Sequence, residues 1–262
     1  MLIADLDGLN VHYRDDGNPK GAPIVFSNSL GTDLRLWDKV VDRLPSNLRI
    51  IRYDKRGHGL TEALPPPYAM SSLISDAEAL LDHLNIRDCV FVGLSVGGLI
   101  AQGLAAKRLD QVRAMVISNT GAKIGTVEMW QDRVAAIETG GIEALADPIM
   151  ERWFSNTFRQ THEMVAWRNM LTRQPPEGYI GCSFAIAATD FRSATAELTL
   201  PTLAIAGSED GATPPDLVRE TADLIKGSRF HLIRGSGHLP CVENPDEYTR
   251  VLVEFLQEIG HI

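Results

Sequence analysis

One serine in this sequence stands in a setting that could make it a nucleophile. Ser95 is the centre of the pentapeptide G-L-S-V-G at residues 93–97, which follows the apolar run 89–92 and precedes small residues with helical spacing. A G-x-S-x-G motif between a strand and a helix holds its serine at the tip of a sharp turn, with the hydroxyl exposed. Gly93 and Gly97 leave room where the two backbones approach each other. We therefore expect Ser95 to attack an acyl carbon.

Two later turns offer the base and the acid that a serine nucleophile needs. Asp210 closes a turn after the apolar run 202–206, and His238 ends a glycine-rich turn after the run 229–233. The order Ser95, Asp210, His238 along the chain is the order of α/β hydrolases. All three residues follow predicted strands, where catalytic groups of open α/β sheets gather. The sequence thus predicts a Ser95–His238–Asp210 triad.

Two alternatives to these assignments stay open at this point. His58 lies in an R-G-H-G turn after another predicted strand and could be the base instead of His238, although its flanking glycines also suit a purely structural turn. Glu209 could orient the base instead of Asp210. We favour Asp210 because it is the shorter acid and lies just past the strand. The strand at 112–118 ends in S-N-T and offers no acid.

The negative charge that develops on a tetrahedral intermediate needs hydrogen-bond donors. The N–H of Val96 follows the nucleophile and opens a predicted helix, whose free N–H groups and dipole favour an anion. We place a second donor at the N–H of Leu30, in the polar loop after the apolar run 24–26. The simpler interpretation of this loop is a turn without a chemical role.

The elements that must position these residues alternate between strand and helix. Such alternation predicts a mostly parallel sheet flanked by helices, the α/β-hydrolase fold, preceded by a hairpin around Asp7 and Gly8. The strand pattern is missing from about residue 122 to residue 195, where helical segments take over. We therefore predict a core at residues 1–121 and 196–262 and a helical cap at 122–195. Asn244, Pro245 and Glu247 predict a capping box on the last helix.

Composition limits the class of protein. The 262 residues carry a formal net charge of −9, which disfavours nucleic acid and anionic membranes as partners. The three cysteines are widely spaced, and the N-terminus lacks the pattern of a signal peptide, so we expect a cytoplasmic protein. No set of residues with metal-ligand spacing is visible, and we expect no cofactor and no metal. The oligomeric state stays open.

Several stretches resemble the 3-oxoadipate enol-lactonases. These stretches are N-S-L-G-T-D-x-x-x-W-D at 28–38, R-Y-D-x-R-G-H-G at 52–59, F-V-G-L-S-x-G-G-L-I at 91–100, A-K-I-G at 122–125, R-W-F at 152–154 and A-G-S-E-D-x-A-T-P-P at 206–215. The resemblance spans nearly the whole chain. The loop at 28–33 and the cap stretches are specific, whereas the Ser95 turn, R-G-H-G and the turn around His238 are common to the superfamily.

The resemblance implies a small lactone substrate that carries a carboxymethyl group, and a role in the β-ketoadipate pathway of aromatic compound catabolism. Trp130 and Arg133 lie three residues apart on one predicted cap helix and could bind the ring and the carboxylate of that substrate. Equally, Trp130 could pack inside the cap while Arg133 is solvated. Other activities on the same fold stay open, namely a carboxylesterase, a carbon–carbon bond hydrolase, a cofactor-free perhydrolase, or a ligand receptor with residual hydrolysis.

Overall fold

The fold is built on one eight-stranded sheet. A computed structural model describes all residues, 1–262. The strands are β1 (Leu2–Leu6), β2 (Leu9–Gly17), β3 (Ala22–Ser27), β4 (Leu48–Tyr53), β5 (Cys89–Leu94), β6 (Val112–Ser118), β7 (Thr202–Gly207) and β8 (Arg229–Ile233).

The sheet is parallel except at one edge. Its order is β1-β2-β4-β3-β5-β6-β7-β8, and only the β1–β2 and β2–β4 pairs are antiparallel. Every residue of β5 is buried, as expected for a central parallel strand covered on both faces. The hairpin predicted around Asp7 and Gly8 is present, and both residues have positive φ. The predicted fold class is confirmed.

Eleven α-helices surround the sheet. They are α1 (Asp38–Val41), α2 (Met70–His83), α3 (Val96–Lys107), α4 (Val127–Gly140), α5 (Ala146–Trp153), α6 (Glu163–Thr172), α7 (Pro176–Ala187), α8 (Arg192–Ala196), α9 (Pro215–Asp223), α10 (Pro240–Glu243) and α11 (Pro245–Glu258). Short 3₁₀ helices span Leu34–Trp37, Ile142–Leu145 and Phe158–Gln160. No helix combines the length and the apolar composition that crossing a bilayer requires.

The start of α11 differs from its prediction. Asn244 precedes Pro245 as expected, but its side chain makes no capping hydrogen bond. It donates instead to Ser236 Oγ, in the turn that carries His238, while Glu247 lies 2.9 Å from the ring of His231. The predicted capping box is therefore wrong, because two tertiary contacts take the side chains that the local pattern assigned to the helix end.

Only helices lie between β6 and β7. We call α4 to α8 the cap helices; that residues 122–195 form a separate unit stays a prediction. One close contact joins α7 to the turn after β4: a Cβ built on Gly178 would lie 1.9 Å from the carbonyl oxygen of Gly57. Gly57 itself has a φ of +69°. The two backbones therefore touch with no room for a side chain on either residue.

We expect Gly178→Ala to lower the free energy of unfolding by about 1–3 kcal/mol, since overpacking against a rigid backbone forces both segments apart. Gly103→Ala is the matched control in a helix. Its added methyl would meet the mobile end of Ile74 at 2.2 Å, and that side chain can turn away. Urea unfolding of both variants checks the prediction. Equal losses of stability would contradict the backbone-contact explanation.

Candidate active site

The serine lies at a strained turn between β5 and α3. Ser95 has φ 59° and ψ −118°, a conformation that costs a non-glycine residue about 1–3 kcal/mol. Its neighbours hold it there. The Ser95 N–H donates to Ser118 O at 3.0 Å, and Thr120 Oγ1 donates to the Ser95 carbonyl at 2.7 Å. A Cβ on Gly97 would lie 2.2 Å from Ser27 O, so only glycine permits this approach of backbones. The hydroxyl is thereby held at the carboxyl edge of the sheet.

The histidine and the aspartate form a buried pair. His238 Nδ1 lies 2.9 Å from Asp210 Oδ2, and both side chains are almost fully buried. An ionised aspartate has only acceptors, so we assign the Nδ1 hydrogen as the donor in this bond. That tautomer leaves Nε2 free to accept a proton. The pair therefore has the arrangement of a general base with its orienting acid.

Further donors hold Asp210 in its ionised form. Asn119 Nδ2 and Thr213 Oγ1 donate to Oδ2 at 2.8 and 2.9 Å, while the N–H groups of Ala212 and Thr213 donate to Oδ1. Burial acts to raise the pKa of Asp210. The charge of His238 and these hydrogen bonds outweigh it, so that the pKa of Asp210 is lowered. The acid therefore stays charged, and a charged acid in this position can stabilise an imidazolium on its neighbour.

Ser95 and His238 are not hydrogen-bonded to each other. His238 Nε2 instead lies 3.4 Å from Ser29 Oγ. The end of β6 and the two residues after it nevertheless link the two sides of the site. Ser118 and Thr120 contact the Ser95 backbone, while Asn119 between them contacts Asp210. Hydrogen bonds between nucleophile and base are often long without substrate and tighten in the Michaelis complex.

The geometry disfavours the two alternative residues, Glu209 as the acid and His58 as the base. Glu209 is exposed, whereas Asp210 beside it is buried. His58 lies behind the loop that follows β3, where its Nε2 accepts a hydrogen bond from the Gly31 N–H at 3.0 Å. Burial, and next to it the charge of Lys55, lower the pKa of His58 well below its usual range. This geometry favours a neutral His58 that supports the loop rather than a base.

The loop after β3 carries the predicted second oxyanion donor. The Leu30 N–H has no hydrogen-bond acceptor within the protein, although the residue is buried. Val96 is the first residue of α3, and the N–H at that position of a helix has no intrahelical acceptor. Asn28 anchors the start of the loop by accepting from Trp37 Nε1 and donating to Tyr53 O, both at 2.9 Å. Two unused donors therefore lie in segments that flank the serine.

The end of α5 is hydrogen-bonded to the turns that carry Asp210 and His238. Trp153 O accepts the N–H of His238 at 2.7 Å, and Arg152 O accepts the N–H of Gly211 at 3.0 Å. The Trp153 ring also stacks on the His238 ring, with centroids 6.5 Å apart. Sequence reasoning assigned no role to this helix end beyond the resemblance of R-W-F.

Two arginines of the cap helices, Arg133 and Arg152, have no carboxylate partner. Arg133 stacks on the Trp130 ring, with Cζ 4.9 Å from the centroid, and its Nη1 lies 3.4 Å from Tyr179 Oη. A Cβ on Gly31 would be 3.1 Å from the Tyr179 ring, so this group adjoins the loop of Leu30. Burial lowers the pKa of Arg152, and the like charge of Arg133 lowers it further.

Residues that sequence reasoning missed complete the site. Asn119 stood where the sequence lacked an acid, Ser29 and Thr213 lay in stretches of family resemblance without an assigned role, and Tyr179 carried no local pattern that marks a function. Their shared signal is position, since most of them follow a strand at the carboxyl edge of the sheet. No group of three or more His, Cys, Asp or Glu side chains is arranged to hold a metal ion.

Comparison with known proteins identifies the family and similar proteins within it. A family model described as the alpha/beta hydrolase family matches residues 24–251. 3-Oxoadipate enol-lactonase 1 of Acinetobacter baylyi is 33% identical over 262 residues, covering 99% of this chain and 97% of that protein. The second enol-lactonase of that organism is 31% identical, covering 92% and 91%. The crystal structure of the enol-lactonase from Burkholderia xenovorans is 37% identical, covers 98% and 100%, and superposes with a TM-score of 0.94.

Proposed function

The chain belongs to the alpha/beta hydrolase family, and on that premise we propose that it opens the ring of 3-oxoadipate enol-lactone to give 3-oxoadipate. The near full-length similarity to the enol-lactonases supports the reaction. The observation that carries the choice of substrate is that Arg133 and Arg152 have no carboxylate partner in the protein: Arg133 contacts Tyr179 Oη and Arg152 donates to Gly211 O, so both positive charges would stay unbalanced beside a neutral ester. A role in aromatic compound catabolism and a cytoplasmic location belong to the same proposal. The three buried, unpaired cysteines support the location.

Acylation begins with the Ser95 hydroxyl. Its oxygen attacks the ring carbonyl carbon while His238 Nε2 takes its proton, and Asp210 stabilises the imidazolium through Nδ1. The carbonyl oxygen becomes an oxyanion that the N–H groups of Leu30 and Val96 bind. One such donor is worth about 10²–10³ in rate. A firm hold on the loop of Leu30 therefore favours catalysis directly.

Ring opening follows when the bond between the carbonyl carbon and the ring oxygen breaks. The leaving group is an enol, which departs more readily than an alkoxide, takes the proton from His238 and tautomerises to the ketone. Water then attacks the acyl carbon of the Ser95 ester as His238 again accepts a proton. Release of Ser95 yields the second carboxylate of 3-oxoadipate and restores the free enzyme.

The carboxymethyl group of the substrate needs a cationic partner, and we assign that role to Arg133. Trp130 beneath its guanidinium is buried and donates to Ile124 O, so it can hold the Arg133 side chain in one orientation. Arg152 is a second cation near the same space. The charge of Arg133 lowers its pKa, and both arginines act to lower the pKa of Tyr179, which burial raises. A site of this kind binds an anionic lactone better than a neutral ester.

We expect Arg133→Ala to raise KM for the lactone about 10- to 100-fold, the effect of losing a hydrogen bond to a charged group, with a smaller change in kcat. Arg168→Ala is the matched control, since Arg168 is also on a cap helix but pairs with Glu143 and Asp147. Steady-state kinetics on the lactone and on p-nitrophenyl acetate check this. An unchanged KM for the lactone would exclude Arg133 from carboxylate binding.

The experiment that tests the proposed function compares substrates on the purified protein. Hydrolysis of the enol lactone is followed by loss of ultraviolet absorbance, beside p-nitrophenyl acetate and beside peroxide-dependent halogenation. A lactone kcat/KM far above that of the aryl ester supports the proposal. Preference for the ester would indicate a carboxylesterase, and dominant halogenation would indicate a perhydrolase. Slow single turnover with retained product would indicate a ligand receptor.

A further inference from the structure

A lysine is buried beneath the oxyanion loop. Lys55 follows β4 and is 2% exposed. Its Nζ donates to Ser29 O at 2.6 Å and lies 3.3 Å from Thr32 O. No carboxylate forms a salt bridge with it. Removing an ammonium from water is costly unless strong interactions replace the lost hydration, so this position calls for a reason.

The need of the Ser29 carbonyl for hydrogen-bond donors does not explain the buried lysine. Thr32 Oγ1 donates to the same oxygen at 2.9 Å, and the Thr32 N–H does so at 3.3 Å. Both lone pairs of the oxygen therefore have partners without the lysine. What Lys55 adds is a full positive charge next to that carbonyl oxygen.

The carbonyl that accepts from Lys55 belongs to a particular peptide unit. Ser29 C=O and Leu30 N–H are the two ends of one amide, and the Leu30 N–H is the predicted oxyanion donor without a partner in the protein. A cation on an amide oxygen draws electrons toward that oxygen, and the N–H at the other end becomes a stronger donor. Hydrogen bonds in which one partner is charged are also shorter and stronger.

We propose that Lys55 is a positioning residue for catalysis, which polarises the Ser29–Leu30 peptide and thereby strengthens the oxyanion hole. This inference rests on the proposed hydrolase function, but not on the identity of the lactone. Lys55 itself touches no substrate. It acts on the transition state through the backbone, and only while its ammonium is charged.

The surroundings of Lys55 make that charge sensitive to pH. Burial lowers the pKa of Lys55 to about 8, while the carboxylates of Asp54 and Asp33 oppose the shift. His58 faces the same charge and has its own pKa lowered by burial. Burial raises the pKa of the Cys182 thiol to about 12. Of these groups, Lys55 is the one that titrates near pH 8, so its effect is present below that pH and disappears above it.

The test uses hydrolysis of p-nitrophenyl acetate, an ester that this triad would cleave whichever lactone is the natural substrate. We expect kcat of the unaltered enzyme to fall as pH rises through about 8. Lys55→Met should lose about tenfold in kcat at pH 7, less than the about 10²–10³ of a whole donor, with KM within about twofold. Its remaining activity should show no fall near pH 8.

Thr32→Val is the matched control, because it removes a neutral hydrogen bond from the same carbonyl and leaves the charge. It should keep the fall near pH 8, and this holds as a test even where Lys55→Met does not fold. A flat profile for the unaltered enzyme, a fall that survives in Lys55→Met, or its loss in Thr32→Val would each overturn the inference. Absence of any esterase or lactonase activity would instead refute the proposed function.

Discussion

Replacing Ser95 by alanine should lower kcat for the lactone by about 10⁶, and replacing His238 by alanine should have a similar effect, because triad members act as a unit. The double variant should be little worse than either single one. The physical reason is that a serine without its base is a weak nucleophile, and a base without the serine has nothing to deprotonate. Single-turnover and steady-state kinetics on purified variants measure the losses.

The control for these variants is substrate binding. Neither change removes Arg133 or the N–H groups of Leu30 and Val96, so the affinity for the product should change by less than the rate. Circular dichroism should match that of the unaltered protein. Retention of more than a hundredth of the activity by Ser95→Ala would mean that another group is the nucleophile.

Asp210→Ala should lower kcat by about 10⁴, since His238 would lose both its orientation and the partner of its charged form. Glu209→Ala, at the adjacent position, should cost little, because this carboxylate is exposed and contacts no catalytic residue. The two variants remove the same kind of group one residue apart. Their kcat values on the lactone decide the assignment.

The reverse ranking would overturn the role of Asp210, and two large losses would mean that the whole turn after β7 is disturbed. The hydrogen bonds from Asn119 and Thr213 argue against the reverse ranking, because they hold Asp210 next to His238. Glu209 would have to displace a buried and satisfied carboxylate to take its place.

Local patterns were enough to predict the fold, and the same kind of signal led to the triad residues, whose roles stay a prediction. The turn around Ser95 is encoded within a few residues, because its glycines permit approaches that any side chain would block. Asp210 and His238 follow from the rule that functional groups lie at the carboxyl ends of strands. The confirmed hairpin at Asp7 and Gly8 likewise rests on the backbone preferences of two residues.

Features that depend on long-range contacts were not predictable. Lys55 appeared as one basic residue in a turn, and nothing in the spacing said that the loop of Ser29 would bury it. Asn119 looked inert until β6 and β7 were paired in the sheet. The capping box at Asn244 failed for the same reason, since a partner distant in sequence outweighed the local preference.

The main-chain bonds from Arg152 and Trp153 to the turns of Asp210 and His238 bear on how such enzymes diverge. The segment that would select the substrate is thus bonded to the turns whose side chains would transfer protons under the proposed mechanism. A mutation that reshapes this part of the pocket for a new substrate therefore risks slowing turnover on every substrate at once. Adaptation would be easier at Trp130 and Arg133, whose helix α4 has no main-chain bond to either turn.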